Sequence, residues 1–188
     1  QLRALLYDQG IFVDESFLFC GAPTISKTRV TSSNQQICRV DRESDSDSYS
    51  PDLSVLQENL ISKIDSSDVV IVSDYGKGFV SNELFRMVRK NAKFVSVDPK
   101  PSRLLEYESP DLLTPNRMEA LELAGKSRLM KEEFPQSEVV EEIFRKFSPA
   151  KLAITLGADG MLLAEGEEIK KTIPTAAREV FDVSGAGD

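Results

Sequence analysis

The chain has 188 residues, 40% hydrophobic and 29% charged, which is enough for one globular domain with a real core. Its 23 basic and 31 acidic residues leave a net charge of −8, which argues against a nucleic-acid partner held by bulk charge. There is no histidine, and the two cysteines, Cys20 and Cys38, form neither a disulfide framework nor a metal-ligand cluster, so His-based triads, HExxH zinc sites and zinc fingers are excluded. No apolar run approaches the roughly 18 residues of a membrane span, and residues 1–3 carry no Met and no signal-peptide pattern. The expectation is a reduced, cytoplasmic protein with no membrane partner, cut from inside a longer chain at both ends.

In chain order, residues 1–9 read as the tail of a helix closed by Gly10. Residues 16–20 form a short apolar strand. Residues 24–31 alternate, with Lys27 and Arg29 on one face. Ser32-Ser33-Asn34 is a turn, and residues 35–41 return with Arg39, so 24–41 is a hairpin. Residues 42–50 are a polar Ser/Asp-rich loop. A helix starts at Pro51-Asp52 and runs to about Ile64, with Leu53, Leu56, Leu60 and Ile64 on one face.

A regular rhythm follows. Residues 68–73 are a buried strand, followed by the loop Asp74-Tyr75-Gly76-Lys77-Gly78. A helix over 82–91 is capped by Ser81. Strands at 94–97 and 111–114 follow, then a helix from Asn116 to Ala124 and another over 137–147. A strand at 151–155 leads to Leu156-Gly157-Ala158-Asp159-Gly160. Residues 161–164 and 169–173 pair through Gly166, and 178–181 form the last strand. Continuous apolar strands alternating with amphipathic helices mean an α/β domain with a mainly parallel sheet. Ligands gather at the carboxyl ends of such strands, where the polar and Gly-rich segments fall. The core α/β region is set at 65–188.

Asp182-Val183-Ser184-Gly185-Ala186-Gly187-Asp188 ends the chain. Its glycines let backbone N–H groups approach an anion, and Asp188 can take a proton from a nucleophile beside a bound phosphate. Gly185-x-Gly187 could equally open a dinucleotide fingerprint, although here it follows the last strand rather than the first. Asn116 and Glu119 fit a capping box. They also share a helix face that could hold Mg²⁺ through water beside a phosphate. Asp74–Gly78 is not a P-loop; it is a tight βα turn needing positive φ, or a place where Asp74 binds a polyol hydroxyl and Lys77 a phosphate. Lys100 follows a strand directly and can reach phosphate. Lys27, Arg29 and Arg39 form a basic cluster that is either a solvated hairpin face or a clamp for an anionic substrate.

The terminal heptapeptide resembles the signature D-[TV]-[TS]-G-A-G-D of the ribokinase-like (PfkB) carbohydrate kinases. Asn116-x-x-Glu119 and Thr155-Leu-Gly157-Ala-Asp-Gly160 resemble two further motifs of that family in the same order. Residues 27–30 with 34–41, 73–78 and 97–100 resemble the D-glycero-D-manno-heptose 7-phosphate kinase group. The resemblance implies a three-layer α/β/α sandwich with a small β lid hairpin at 24–41. It also implies ATP and Mg²⁺ as cofactors, and phosphorylation of O1 of a heptose 7-phosphate on the way to ADP-heptose and the lipopolysaccharide core.

In that scheme Asp188 is the base, and Gly185, Ala186 and Gly187 form the anion hole. Asn116, Arg117, Met118, Glu119, Gly157 and Lys100 face the nucleotide, with Asn116 and Glu119 near the metal. Asp74, Lys27, Arg29 and Arg39 face the phosphosugar. A homodimer through the lid and a fused or separate nucleotidyltransferase are further implied partners. The family's Gly-rich N-terminal sugar segment and the part after its GAGD motif fall outside the sequence, so the 188 residues alone are expected to turn over poorly. The competing readings are another PfkB sugar or nucleoside kinase, a non-catalytic nucleotide-binding module of the same fold and, more distantly, a Rossmann oxidoreductase.

Overall fold

Runs of Val, Ile and Leu alternate with amphipathic helices, and this alternation lays out the chain. A computed structural model describes residues 2–13, 22–32, 35–101, 105–126 and 134–175. The five helices of this account are α1 (Leu2–Asp8), α2 (Leu53–Asp65), α3 (Asn82–Asn91), α4 (Arg117–Leu123) and α5 (Gln136–Phe147). The eight strands are β1 (Ser26–Ser32), β2 (Gln35–Arg42), β3 (Val70–Ser73), β4 (Val95–Asp98), β5 (Leu112–Leu113), β6 (Lys151–Thr155), β7 (Met161–Glu165) and β8 (Glu168–Ile173). No helix among the described residues is long and apolar enough to cross a membrane.

Local chemistry sets the helix starts. Asp52 accepts from the Ser54 N–H at 3.0 Å at the head of α2, and Ser81 Oγ accepts from the Leu84 N–H at 3.1 Å at the head of α3. Each bond satisfies a donor that the first helical turn leaves without an intrahelical partner. α3 then buries Leu84, Phe85 and Val88, and α5 buries Val139, Val140, Ile143 and Phe144.

Strands β3 to β8 form one sheet in sequence order. The pairs from β3 to β6 are parallel, and β6–β7 and β7–β8 are antiparallel. Three consecutive residues of β6, Leu152, Ala153 and Ile154, are buried, so both faces of the sheet are covered at that strand. Val95, Val97, Leu113, Ile154 and Leu162 are fully buried at the centre. Each such side chain contributes about 1.5–3 kcal/mol relative to exposure.

Two elements differ from expectation. The Val69–Val72 run reads as a strand buried on both faces, but β3 lies at the sheet edge, paired only to β4 among the described residues. Val72 is buried while Val69 and Ile71 are exposed. An apolar run records burial propensity and carries no information about which strand ends the sheet. The polar loop after the hairpin contains a 3-10 turn, Ser46–Tyr49, held by the Tyr49 hydroxyl, which accepts from Ser44 N–H and donates to the Pro23 carbonyl.

The two strands read at 24–31 and 35–41 form at 26–32 and 35–42, with Ser32 in the first strand rather than the turn and residues 33–34 outside the described residues. β1 and β2 pair antiparallel as a separate two-stranded sheet, and every residue of it is exposed. The expected strands at 16–20 and 178–181, and the segment 182–188 with Gly185, Ala186, Gly187 and Asp188, lie outside the described residues.

Candidate active site

The carboxyl ends of β3, β4, β5 and β6 are stitched side by side. Asp74 N–H donates to the Asp98 carbonyl at 3.0 Å, Thr114 N–H to Val97 at 2.9 Å, and Thr155 N–H to Pro115 at 3.1 Å. The four post-strand segments therefore leave the sheet along one edge. They carry Asp74, Lys100, Asn116 with Glu119, and Gly157. The structure thus brings together the residues that the sequence distributes over 84 positions, from 74 to 157.

At the end of β5 the capping box is formed. Asn116 Oδ1 accepts from the N–H groups of Met118 and Glu119 at 3.0 Å each, and Glu119 Oε2 accepts from Asn116 N–H at 3.0 Å. The other oxygen, Oε1, accepts from Lys100 Nζ at 2.9 Å. Glu119 is buried, whereas the Lys100 side chain is 41% exposed. The cap and the ion pair together fix a carboxylate at the edge where four strands end. Glu119 thus carries the structural role its spacing predicts, and it stands beside the lysine singled out for phosphate contact.

Arg117 turns sideways. Its Nη1 donates to Asp159 Oδ2 at 2.8 Å and its guanidinium lies 5.4 Å from the Phe134 ring centroid. This joins α4 to the Gly157–Asp159 turn. Met118 is exposed. Gly157 has φ +65, and a Cβ there would meet nothing within 4 Å. The turn therefore needs its positive φ, and open space lies beside it.

At the end of β3, Asp74 is buried, with both carboxylate oxygens engaged. Oδ1 accepts from Gly76 N–H at 2.7 Å and Oδ2 from the Tyr107 hydroxyl at 2.6 Å. Gly78 has φ +104, and a Cβ on it would stand 1.9 Å from the Ser46 carbonyl oxygen. The tight-turn reading of this loop holds. Lys77 pairs with Glu43, and Ser50 Oγ donates to the Gly78 carbonyl at 3.2 Å. These contacts anchor the segment that follows the hairpin to the β3 loop.

On the hairpin, Arg29 stands directly opposite Arg39, and Lys27 opposite Asp41. Residues opposed in an antiparallel ladder share a face, so Lys27, Arg29, Arg39 and Asp41 form one charged surface. Arg39 Nε donates to Asp41 at 2.8 Å. The other face carries Thr28, Val30, Cys38 and Val40. Like charges directly opposed cost stability unless an anion lies between them.

Tyr107 escaped the sequence reading. It is fully buried, its ring packs edge-on against Phe85 at 5.8 Å, and its hydroxyl accepts from Lys100 N–H at 3.3 Å while donating to Asp74. Burial, followed by the Asp74 hydrogen bond, pushes its phenol well above the usual tyrosine range. Its neighbours Glu106 and Glu108 make the stretch look like a solvated loop. A lone aromatic between Pro101 and Pro110 is the signal that could have flagged it.

No cluster of three or more Cys, Asp or Glu suited to a metal occurs among the described residues. A Mg²⁺ bound mainly by phosphate oxygens and water needs only one or two carboxylates from the protein; Glu119 is a carboxylate at this edge, with Oε1 held by Lys100 and Oε2 by the Asn116 N–H.

A row of polar loops at the carboxyl edge of a mainly parallel sheet is the place where α/β proteins bind their ligands. The sequence model of the pfkB family of carbohydrate kinases matches residues 1–188, and the chain belongs to that family. Curated relatives called Bifunctional protein HldE are 34% identical over 184 residues in Desulfatibacillum aliphaticivorans, covering 96% of this chain and 36% of that protein. The HldE of Sulfurimonas denitrificans is 35% identical, covering 100% and 39%, and that of Campylobacter fetus is 35% identical, covering 100% and 41%. The chain thus spans about two fifths of these relatives' length.

Among solved structures, a ribokinase from Giardia lamblia superposes with TM-score 0.73 at 20% identity, covering 99% of this chain and 58% of that one. A ribokinase from Thermotoga maritima gives 0.68 at 20% identity, covering 99% and 59%. At these identities the likeness establishes the fold, which is ribokinase-like.

Proposed function

We propose that this chain is part of an ATP-dependent kinase that phosphorylates O1 of D-glycero-D-manno-heptose 7-phosphate. The observation that carries the reading is the 34–35% identity, across nearly all of the chain, to relatives called Bifunctional protein HldE. It agrees with the heptose-kinase-like stretches 27–30 with 34–41, 73–78 and 97–100. In this scheme Asp188 takes the proton of the acceptor hydroxyl as its oxygen attacks the γ-phosphorus. The bond to the β-phosphate oxygen breaks and ADP leaves. Backbone N–H groups of Gly185, Ala186 and Gly187 face the transferred oxygens.

Lys100, Arg117, Met118 and Gly157 line the nucleotide side. Asn116 and Glu119, whose oxygens already cap α4 and pair with Lys100, are the residues that would face a water-bound Mg²⁺, which when bound would supply charge neutralisation on the phosphates. Asp74 faces the sugar. Lys27, Arg29 and Arg39, with Arg39 also paired to Asp41, receive the 7-phosphate on their shared face.

The 24–41 hairpin serves as lid. Its apolar face, with Val30 and Val40 exposed, supports pairing with a second copy, because an isolated hairpin is marginal in water. A nucleotidyltransferase fused to the kinase fits the bifunctional relatives, and cytoplasmic residence fits an enzyme that consumes ATP. The test is Asp188→Asn in the protein at its full natural length, followed by coupled ADP release. The expected result is a kcat lowered by about 10²-fold or more with nucleotide affinity within twofold. Near-normal turnover would refute the base assignment.

A further inference from the structure

The Tyr107 hydroxyl occupies a node that no catalytic scheme above uses. It donates to Asp74 Oδ2 at 2.6 Å and accepts from Lys100 N–H at 3.3 Å. Asp74 in turn holds Gly76 N–H at 2.7 Å and Lys100 holds Glu119 at 2.9 Å. One phenol therefore links the loop after β3 to the loop after β4 and, through Lys100, to the start of α4. The ring is wedged in the core against Phe85 and Phe147, which fixes the hydroxyl in position. Its proton is held firmly, since burial and Asp74 both disfavour the phenolate. A permanent donor aimed at one carboxylate oxygen leaves Asp74 a single orientation and restricts which of its lone pairs remain available to a ligand.

We infer that Tyr107 is a positioning residue of the kinase site: its hydroxyl sets the Asp74 carboxylate, and with it the Asp74–Gly78 loop, for the hydroxyls of the sugar acceptor. The inference rests on the assignment of Asp74 to the sugar. Tyr107 itself touches no substrate in this scheme, and its effect is transmitted through Asp74.

The test uses the protein at its full natural length. KM and kcat are measured for ATP and for whichever acceptor the wild type phosphorylates from a panel of heptose 7-phosphate, fructose 1-phosphate, fructose 6-phosphate and adenosine. Three variants are compared. Tyr107→Phe keeps the ring and removes the hydroxyl. Asp74→Asn removes the charge that the hydroxyl faces. Phe85→Leu loosens the ring's packing and keeps the hydroxyl, so it controls for lost packing.

The expected result is an acceptor KM raised about 10-fold in Y107F and at least as much in D74N, with the ATP KM within twofold. F85L should leave the acceptor KM within twofold despite a fall in Tm. A normal acceptor KM in Y107F alongside a raised one in D74N overturns the role of Tyr107 and leaves Asp74 standing. Normal values in both overturn the Asp74 assignment as well. An effect in Y107F without one in D74N, equal effects in Y107F and F85L, or a Y107F protein that does not fold would each overturn the inference.

Discussion

Replacing Glu119 with Gln separates two roles that its position combines. Gln keeps an oxygen for the Asn116 N–H and so preserves the capping box. What it loses is the charge facing Lys100 Nζ at 2.9 Å. A hydrogen bond to a charged group is worth about 1.5–3 kcal/mol net. Here the lysine side chain is 41% exposed and the glutamate side chain 11%, so solvent screening reduces the figure to about 1 kcal/mol. For a chain of this size, that corresponds to a Tm lower by about 2–4 °C. If Glu119 also holds Mg²⁺ through water, E119Q should lower kcat/KM by about 10- to 100-fold, as loss of an outer-shell metal partner does, and should raise the Mg²⁺ concentration needed for half-maximal rate. Thermal unfolding and initial rates titrated with Mg²⁺ read the two effects independently. An E119Q enzyme with wild-type rates and Mg²⁺ dependence, and only the small Tm loss, would refute the metal role and leave Glu119 as a helix cap.

Gly78→Ala should cost about 2–5 kcal/mol in urea unfolding, because a Cβ 1.9 Å from the Ser46 carbonyl forces backbone apart at φ +104; a loss under 1 kcal/mol would contradict the close approach. Replacing Lys27, Arg29 and Arg39 together with Gln should raise the KM of a phosphorylated acceptor by about 10-fold or more and leave that of its unphosphorylated counterpart nearly unchanged, because only the former carries the anion. The raised Tyr107 phenol predicts an alkaline limb of instability. The folded pKa exceeds the ordinary 10.0, so this stabilisation is complete below about pH 10. Above it the unfolded chain ionises first, and stability is lost as pH rises. Tm followed from about pH 8 to about pH 11 should fall less steeply in Y107F than in wild type.

Much of this was legible from local rules. Ser81, Asp52 and Asn116 announce their helices because capping is a short-range interaction written in three or four residues. The hairpin declared itself through alternation around Ser32-Ser33-Asn34, and β7–β8 through Gly166. The strand ends were also readable, since each apolar run in a parallel sheet stops where polar residues begin.

What the sequence concealed is non-local. Nothing in Val69–Val72 says that β3 pairs only with β4 among the described residues, with Ile71 exposed. Nothing in Leu105–Ser109 says that the phenol of Tyr107 reaches back 33 residues to Asp74. Nor does the sequence show that Gly76 and Tyr107 engage both Asp74 oxygens. Nor did spacing reveal that Lys100 and Glu119, each singled out alone, form one ion pair.

The proposed activity turns on acceptor identity. The direct measurement is kcat/KM, by ADP release with ATP and Mg²⁺ in the protein at its full natural length, for D-glycero-D-manno-heptose 7-phosphate against fructose 1-phosphate, fructose 6-phosphate and adenosine. The account predicts a preference for the heptose of about 10²-fold or more, with the new phosphate on O1 in the product's ³¹P spectrum. A higher kcat/KM for any of the other three would contradict it.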